Sequence, residues 1–211
     1  MGMPPELSEQ EISLFLLKAL HPGSASSTDG FTSLAHPQSG ESLKCAAVLM
    51  PLLWQAGKWH LLFTRRTDMV ESHKGQVSFP GGERDNEEAT AEDTALREAY
   101  EEIGLRPSDV RIIGRLNDIV TITHYRVTPV VGVIPCSYHF QLSEHEVSRV
   151  FTIPMDWLAQ RENWDERFLD LDGLPQAWPV IMYHPYDGEI LWGASARMTH
   201  TFLRVLGLIA K

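Results

Sequence analysis

Apolar residues at Ile12, Phe15, Leu16 and Leu20 recur at the three-and-four spacing that marks one face of a helix. Ser8 precedes them and Glu11 follows three positions later, a capping-box pattern, so the spacing predicts a first helix from Ser8 to about Leu20 that docks on the main body. From His21 to Glu41 the periodicity fades into Ser, Gly, His, Thr and Pro, which reads as a long connector, ordered only in part. Strand patterns begin after Lys44: Cys45 to Leu53, a turn around Gln55-Ala56-Gly57, then Trp59 to Arg65 as a hairpin partner. Their continuous apolar runs suit a buried sheet. Gly75, a Pro80-Gly81-Gly82 turn and an acidic loop lead into a helix from Ala91 to Ile103, stopped by Gly104. Strands are expected over Arg111 to Leu116 and Val127 to Ile134, and short helices over Glu144 to Phe151 and Pro154 to Ala159. Strands over Val180 to Tyr183 and Glu189 to Trp192 and a closing helix from Gly193 to Leu208 complete the pattern. No internal repeat interrupts it.

Composition narrows the class. With 211 residues, 43% of them hydrophobic and 22% charged, the chain can bury a full core as one domain with additions. Eighteen Lys and Arg against 28 Asp and Glu leave a net charge of -10, which disfavours a general nucleic-acid binder but allows a small phosphorylated ligand bridged by a divalent cation. Cys45 and Cys136 have no metal-ligand spacing and read as small core residues. The opening residues carry no signal-like run, Glu6 spoils a myristoylation match, and the longest apolar stretch, Cys45 to Trp54, is too short for a membrane helix. Cytoplasmic residence without a membrane partner is the expectation.

The sharpest chemical signal lies within the second helix. Glu98, Glu101 and Glu102 stand at i, i+3 and i+4, the spacing of one helix face. Like charges so placed cost an isolated helix about 0.2–0.5 kcal/mol per pair, and Arg97 can relieve Glu101 but hardly all three. Hard divalent cations favour such oxygen ligands, and Mg²⁺ combines a few carboxylates with water and substrate phosphate. A solvated acidic face is the plainer reading of the triplet alone. The Phe79-Pro80-Gly81-Gly82 segment upstream and Gly104 downstream frame it as a compact loop-helix-loop.

That frame, Gly82 to Leu105, resembles the Nudix box, G-x5-E-x7-R-E-U-x-E-E-x-G-U with U aliphatic. Gly82, Glu88, Arg97, Glu98, Glu101, Glu102, Gly104 and Leu105 fill its fixed positions. Two departures occur: eight residues separate Glu88 from Arg97, and the small Ala99 takes an aliphatic position. Upstream, Leu62 to Thr67, Gly75 and Phe79 to Gly82 look like the signature of coenzyme A pyrophosphatases within that superfamily. The later segments Val127 to Gly132, Glu146 to Phe151 and Ile190 to Ala194 are similar too. The signature's second arginine falls at Glu71, and its Ser or Ala at Thr67.

The resemblance implies an α/β Nudix fold, a mixed β-sheet in an α/β/α sandwich with added N-terminal and C-terminal helices. Residues 1–43 would form the first helix and connector, and 44–211 the Nudix domain. It implies hydrolysis of the diphosphate bridge of coenzyme A to 4'-phosphopantetheine and adenosine 3',5'-bisphosphate, with Mg²⁺ or Mn²⁺ as cofactor. Glu98, Glu101 and Glu102, with the Gly82 carbonyl, would hold the metal. Arg97 would orient a carboxylate, since Arg stays protonated. Arg65, Arg66, Lys74, Gly75 and Gly81 would meet the substrate. A box glutamate, Glu144 or Glu146 would serve as general base. The rivals are a pyrophosphatase for ADP-ribose or another nucleoside diphosphate conjugate and, from a different class, a non-catalytic nucleotide-binding sensor. Self-association into a homodimer stays open.

Overall fold

A computed structural model of the chain describes residues 7–20, 43–68, 75–85, 87–169 and 178–210. The expected connector, together with Glu71, His73 and Lys74, lies outside the described residues. In chain order the elements begin with α1 (Glu9–Ala19), β1 (Lys44–Gln55), β2 (Lys58–Arg66), β3 (Val77–Ser78), β4 (Gly81–Glu83) and α2 (Ala91–Ile103). There follow β5 (Arg111–Arg115), β6 (Ile119–Val120), β7 (Tyr125–Val133), β8 (Val147–Pro154) and α3 (Met155–Ala159). The last are β9 (Trp164–Leu169), β10 (Trp178–Tyr183) and α4 (Gly193–Val205).

The β1–β2 hairpin sets the frame. Its two turn residues, Ala56 and Gly57, both have positive φ, 51° and 80°, the handedness that matches the twist of the strands they join. β1 and β2 pair only near that turn, from Leu52 opposite Leu61 to Gln55 opposite Lys58. Beyond it they part, and the chain from Val77 to Glu83 enters the fork. β3 pairs with β2, β4 pairs with β1, and between them the Leu49 N–H donates to the Pro80 carbonyl at 2.8 Å. The expected Pro80-Gly81-Gly82 turn is thus largely strand. Gly81 fits because a Cβ there would strike the Ala47 carbonyl and the Val48 backbone.

β7 runs parallel to β1, while β5 and β6 lie antiparallel to β7 and β8 antiparallel to β2, so the sheet is mixed. Alternation along the strands sends side chains to two cores. Ala47, Leu49, Leu62 and Val130 meet Ala95, Ala99 and Ile103 of α2. Met50, Leu52, Phe63 and Val131 meet Ile12 and Leu16 of α1, Leu158 of α3 and Phe202 of α4 on the opposite face. Each fully buried Leu or Ile contributes about 1.5–3 kcal/mol. The result is the expected α/β arrangement of a mixed sheet between helices. The α1 capping box forms, with Ser8 N donating to Glu11 at 2.8 Å, and Ser13 Oγ donates to the Ile113 carbonyl at 2.8 Å. Among the described residues, no helix is long and apolar enough to cross a membrane.

Several expectations need correction. Val147 to Pro154 is a strand rather than part of a helix, because seven of its residues pair with β2. Glu189 to Trp192 makes only isolated bridges, from Tyr186 to Glu189 and from Met182 to Trp192. β9, unforeseen, pairs with β10 in a separate two-stranded sheet. Cys45 and Cys136 are exposed, since one opens β1 and the other lies in the loop after β7.

Candidate active site

The second helix is placed by its two ends. At its N-terminus Thr90 and Asp93 form a reciprocal capping box; at its C-terminus Gly104 takes a left-handed φ of 68°. Burial of Ala95, Ala99 and Ile103 then fixes its rotation against the sheet. Glu102, one position from Ile103 and three from Ala99, is carried inward and is 4% exposed. The Glu98 side chain is 16% exposed and the Glu101 side chain 53%. The face shared on paper is therefore divided, with two carboxylates turned toward the sheet and one toward solvent.

Arg97 makes the division. Its Nη1 donates to Glu101 at 2.8 Å and stands 2.9 Å from Glu98, its Nη2 donates to the Glu83 carbonyl at 3.1 Å, and its Nε donates to Glu88 at 2.6 Å. Thr94 Oγ donates to the other Glu88 oxygen at 2.6 Å and Asp85 N at 2.9 Å. Burial works to raise the Glu88 pKa, but the hydrogen bonds from Arg97, Thr94 and the Asp85 backbone outweigh it and hold it at about 2. The extra residue in the box is absorbed without loss of this brace. Because the folded pKa lies below the free value, the brace stabilises the fold above pH 4.5 and fades as pH falls toward 2. Replacing Glu88 with Ala is expected to cost about 3 kcal/mol at pH 7, since it leaves Arg97 short of its shortest partner. Urea unfolding at pH 7 and pH 3 checks this. Equal stability of the two proteins at pH 7 would remove the bracing role.

Inward of Arg97 the electrostatics reverse. Burial raises the Glu98 pKa, Arg97 opposes, and the charges of Glu101 and Glu146 add to the rise. Burial, followed by the Glu98 charge, pushes Glu102 up to about 8, with Glu146 adding and Arg66 and a Gly81 backbone hydrogen bond opposing. Among the described residues, Glu102 Oε2 is buried without a hydrogen-bond partner, and so is Arg66 Nε. Over Glu98 lies Gly82, where any Cβ would land on the Glu98 carboxylate. The loop before β8 closes the site: Gln141 N and Ser143 N donate to the carbonyls of Ile103 and Glu102, and Thr67 N donates to the Glu146 carbonyl at 2.9 Å.

The expected substrate residues separate. Arg66 and Gly81 adjoin Glu102, while Gly82, expected at the metal, adjoins Glu98. Arg65 turns elsewhere, donating to Ser148 Oγ at 3.0 Å and lying 3.5 Å from Glu189 and 3.6 Å from Asp68. Gly75, with φ of 66°, sits beside that second cluster. Neighbouring strand residues face opposite ways, which is why Arg65 and Arg66 do not act together. Lys74 lies outside the described residues.

Among the described residues, no three His, Cys, Asp or Glu side chains already stand close enough to hold a metal ion. The donor chemistry nevertheless suits one: an unpartnered buried oxygen on Glu102 lies beside the charges of Glu98 and Glu146, with only partial compensation. A hard divalent cation is the counter-charge such oxygens favour.

A family model described as the NUDIX domain matches residues 43–180. The chain belongs to the Nudix family, whose enzymes generally use Mg²⁺ or Mn²⁺. It is 46% identical over 142 residues to an uncharacterized Nudix hydrolase, NudL, of Escherichia coli, covering 67% of this chain and 64% of that protein. It is 35% identical over 163 residues to the NudL of an Enterobacter species, covering 77% of this chain and 83% of that one. The match with the Citrobacter koseri NudL, 44% identical over 125 residues, covers 58% of this chain and spans only 65% of the relative. Among solved structures, a Nudix hydrolase from M. Smegmatis, RenU, is similar at a TM-score of 0.48 and 22% identity, over 57% of this chain and 76% of that one.

Proposed function

We propose that this chain hydrolyses a phosphoanhydride in a nucleoside diphosphate linked to another group, and that coenzyme A is its substrate. The buried Glu102 carboxylate carries the reading, with its unpartnered Oε2 beside Glu98 under the Gly81-Gly82 backbone. A carboxylate so placed is costly unless a cation or a proton meets it. A divalent cation held by Glu98, Glu101 and Glu102 would supply the positive charge that polarises a phosphoryl oxygen and acidifies water.

The chain's own groups do the rest. Arg97 stays protonated and, through Glu88 and the Glu83 carbonyl, fixes the helix against the loop. For Glu101 to join the metal it must leave Arg97 Nη1, an exposed contact of small cost to break. Arg66 brings a guanidinium toward the same region, suited to a substrate phosphate oxygen. Glu146 is exposed and its charge reaches both Glu98 and Glu102, which favours it over Glu144 as the group that takes the proton of the attacking water. Water oxygen bonds to one phosphorus, the bridging oxygen leaves with the other phosphate, and the proton passes to Glu146 and then to solvent.

Coenzyme A is favoured over ADP-ribose by the resemblance of Leu62 to Thr67, Gly75 and Phe79 to Gly82 to the coenzyme A pyrophosphatase signature, and Arg66 and Gly81 of these stretches stand beside Glu102. The test is chromatography of coenzyme A incubated with the protein, with and without Mg²⁺ or Mn²⁺. Metal-dependent appearance of 4'-phosphopantetheine and adenosine 3',5'-bisphosphate is the expected result. Intact coenzyme A beside hydrolysed ADP-ribose would overturn the substrate and keep the chemistry.

A further inference from the structure

β8 departs from the alternation of a regular strand. Val150 stands opposite Thr64 and Val147 opposite Arg66, and both valines pack into the core on the α2 face of the sheet. Residues three apart on a regular strand face opposite ways, so one residue between them must be taken out of the pairing. That residue is Ser148, which the register skips between Arg149, opposite Arg65, and Val147. It forms a β-bulge, a device that re-aims the side chains beyond it.

We propose that Ser148 and Arg65 lock this bulge and so position Glu146 to take the proton of the attacking water. The proposal rests on the hydrolysis argued above. Ser148 is fastened by both ends of one residue: Arg65 Nη1 donates to its Oγ at 3.0 Å, and that hydroxyl donates back to the Arg65 carbonyl at 3.1 Å. Arg65 is fixed in turn, with its Nε 3.5 Å from Glu189, whose other oxygen accepts from Arg149 Nη1 at 3.2 Å. The arginine that turns away from the acidic site thus acts on it through the strand.

Just before the bulge in sequence the chain borders the site. Thr67 N donates to the Glu146 carbonyl at 2.9 Å, and Glu146 N and Val147 N donate to the Ser143 carbonyl at 2.9 and 2.8 Å. Glu146 is exposed, so its place is set by this backbone rather than by packing of its side chain. A slip of β8 into regular register would move the chain by about 3.3 Å and turn each side chain to the other face. A general base works only within about 3 Å of the proton it takes, or through one water. Burial of Val147, 2% exposed, resists the full slip, so loss of the Ser148 hydroxyl loosens the bulge without erasing it.

The test is kinetics with Mn²⁺ on coenzyme A, or on ADP-ribose if that is the conjugate cleaved. In the Ser148→Ala variant kcat should fall about thirtyfold with KM within about twofold, short of the roughly hundredfold that a misplacement of ~1 Å costs. Ser148 is exposed, so the variant keeps its fold by circular dichroism, and Ser148→Thr, which retains a hydroxyl, should recover most of the rate. Glu146→Gln alone should slow turnover about a hundredfold. Adding Ser148→Ala to it should lower kcat less than about twofold further, because the two residues act as one unit. Equal losses in the two backgrounds would overturn the proposal, and so would a wild-type kcat in Ser148→Ala. Exchange of the Thr67 amide, read by NMR without substrate, should quicken about tenfold in Ser148→Ala, and unchanged exchange would overturn the lock. Wild-type protein inert toward every conjugate, beside quickened Thr67 exchange in the variant, would overturn the proposed reaction and keep the lock.

Discussion

Replacing Glu102 with Gln is expected to lower metal-dependent turnover about a thousandfold, a loss of roughly 4 kcal/mol of transition-state stabilisation. Gln has nearly the same shape, so the 4% exposed site keeps its packing, but it brings no negative charge to a cation. Charge stabilisation in such a site depends on groups placed before the reaction, and a misplaced cation cannot be recovered by solvent. Circular dichroism should show an unchanged fold, with kinetics in Mn²⁺ reporting the loss and spin resonance of Mn²⁺ reporting weakened binding. A variant that retains near-wild-type rate would remove Glu102 from the metal set.

The second large effect concerns the metal-free protein. Glu102 titrates near 8 in the fold against 4.5 in the free chain. Below pH 4.5 the carboxyl is protonated in both states and imposes no penalty. Between 4.5 and 8 the unfolded chain gives up the proton while the fold keeps it, so stability falls across that window, by an amount on the order of 4 kcal/mol at its upper end. In chelator, the melting temperature should therefore decline from pH 5 to pH 8, and Glu102→Gln should flatten that decline. Adding Mg²⁺ or Mn²⁺ should restore most stability at the alkaline end, by about 2.7 kcal/mol at a hundred times the dissociation constant. A flat profile for the metal-free wild type would mean that Glu102 is charged and satisfied at neutral pH.

The features legible in the sequence are those decided by neighbours in the chain. Ser8 with Glu11, Ala56-Gly57, and the helix from Ala91 to Ile103 with its Gly104 cap declare themselves through local hydrogen bonds and backbone preference. What the local pattern misses depends on partners far away. Val147, Val150 and Phe151 have helical spacing, yet the exposed edge of β2 claims them as a strand. Trp164 to Leu169 is mostly polar at its exposed positions and finds its partner only at Trp178 to Tyr183. Within the candidate site, the spacing of Glu98, Glu101 and Glu102 was visible, but its division by Arg97 was not, because that depends on how deeply α2 sits. The electrostatic reach of Glu146 also needed the Gln141 and Ser143 tethers to be seen.

α1 is fastened to β5, which is made much later along the chain. Glu9 pairs with Arg111, and Ser13 with the Ile113 carbonyl, across about a hundred residues of chain. During synthesis, at about 5–20 residues per second, the helix segment is made roughly 5–20 s before β5 exists to receive it. Eleven residues are too few to hold a helix unaided, even with the capping box complete. Until then Ile12 and Leu16, later fully buried, lack the sheet that covers them, and once outside the ribosome they stand open to water and to any other protein within reach.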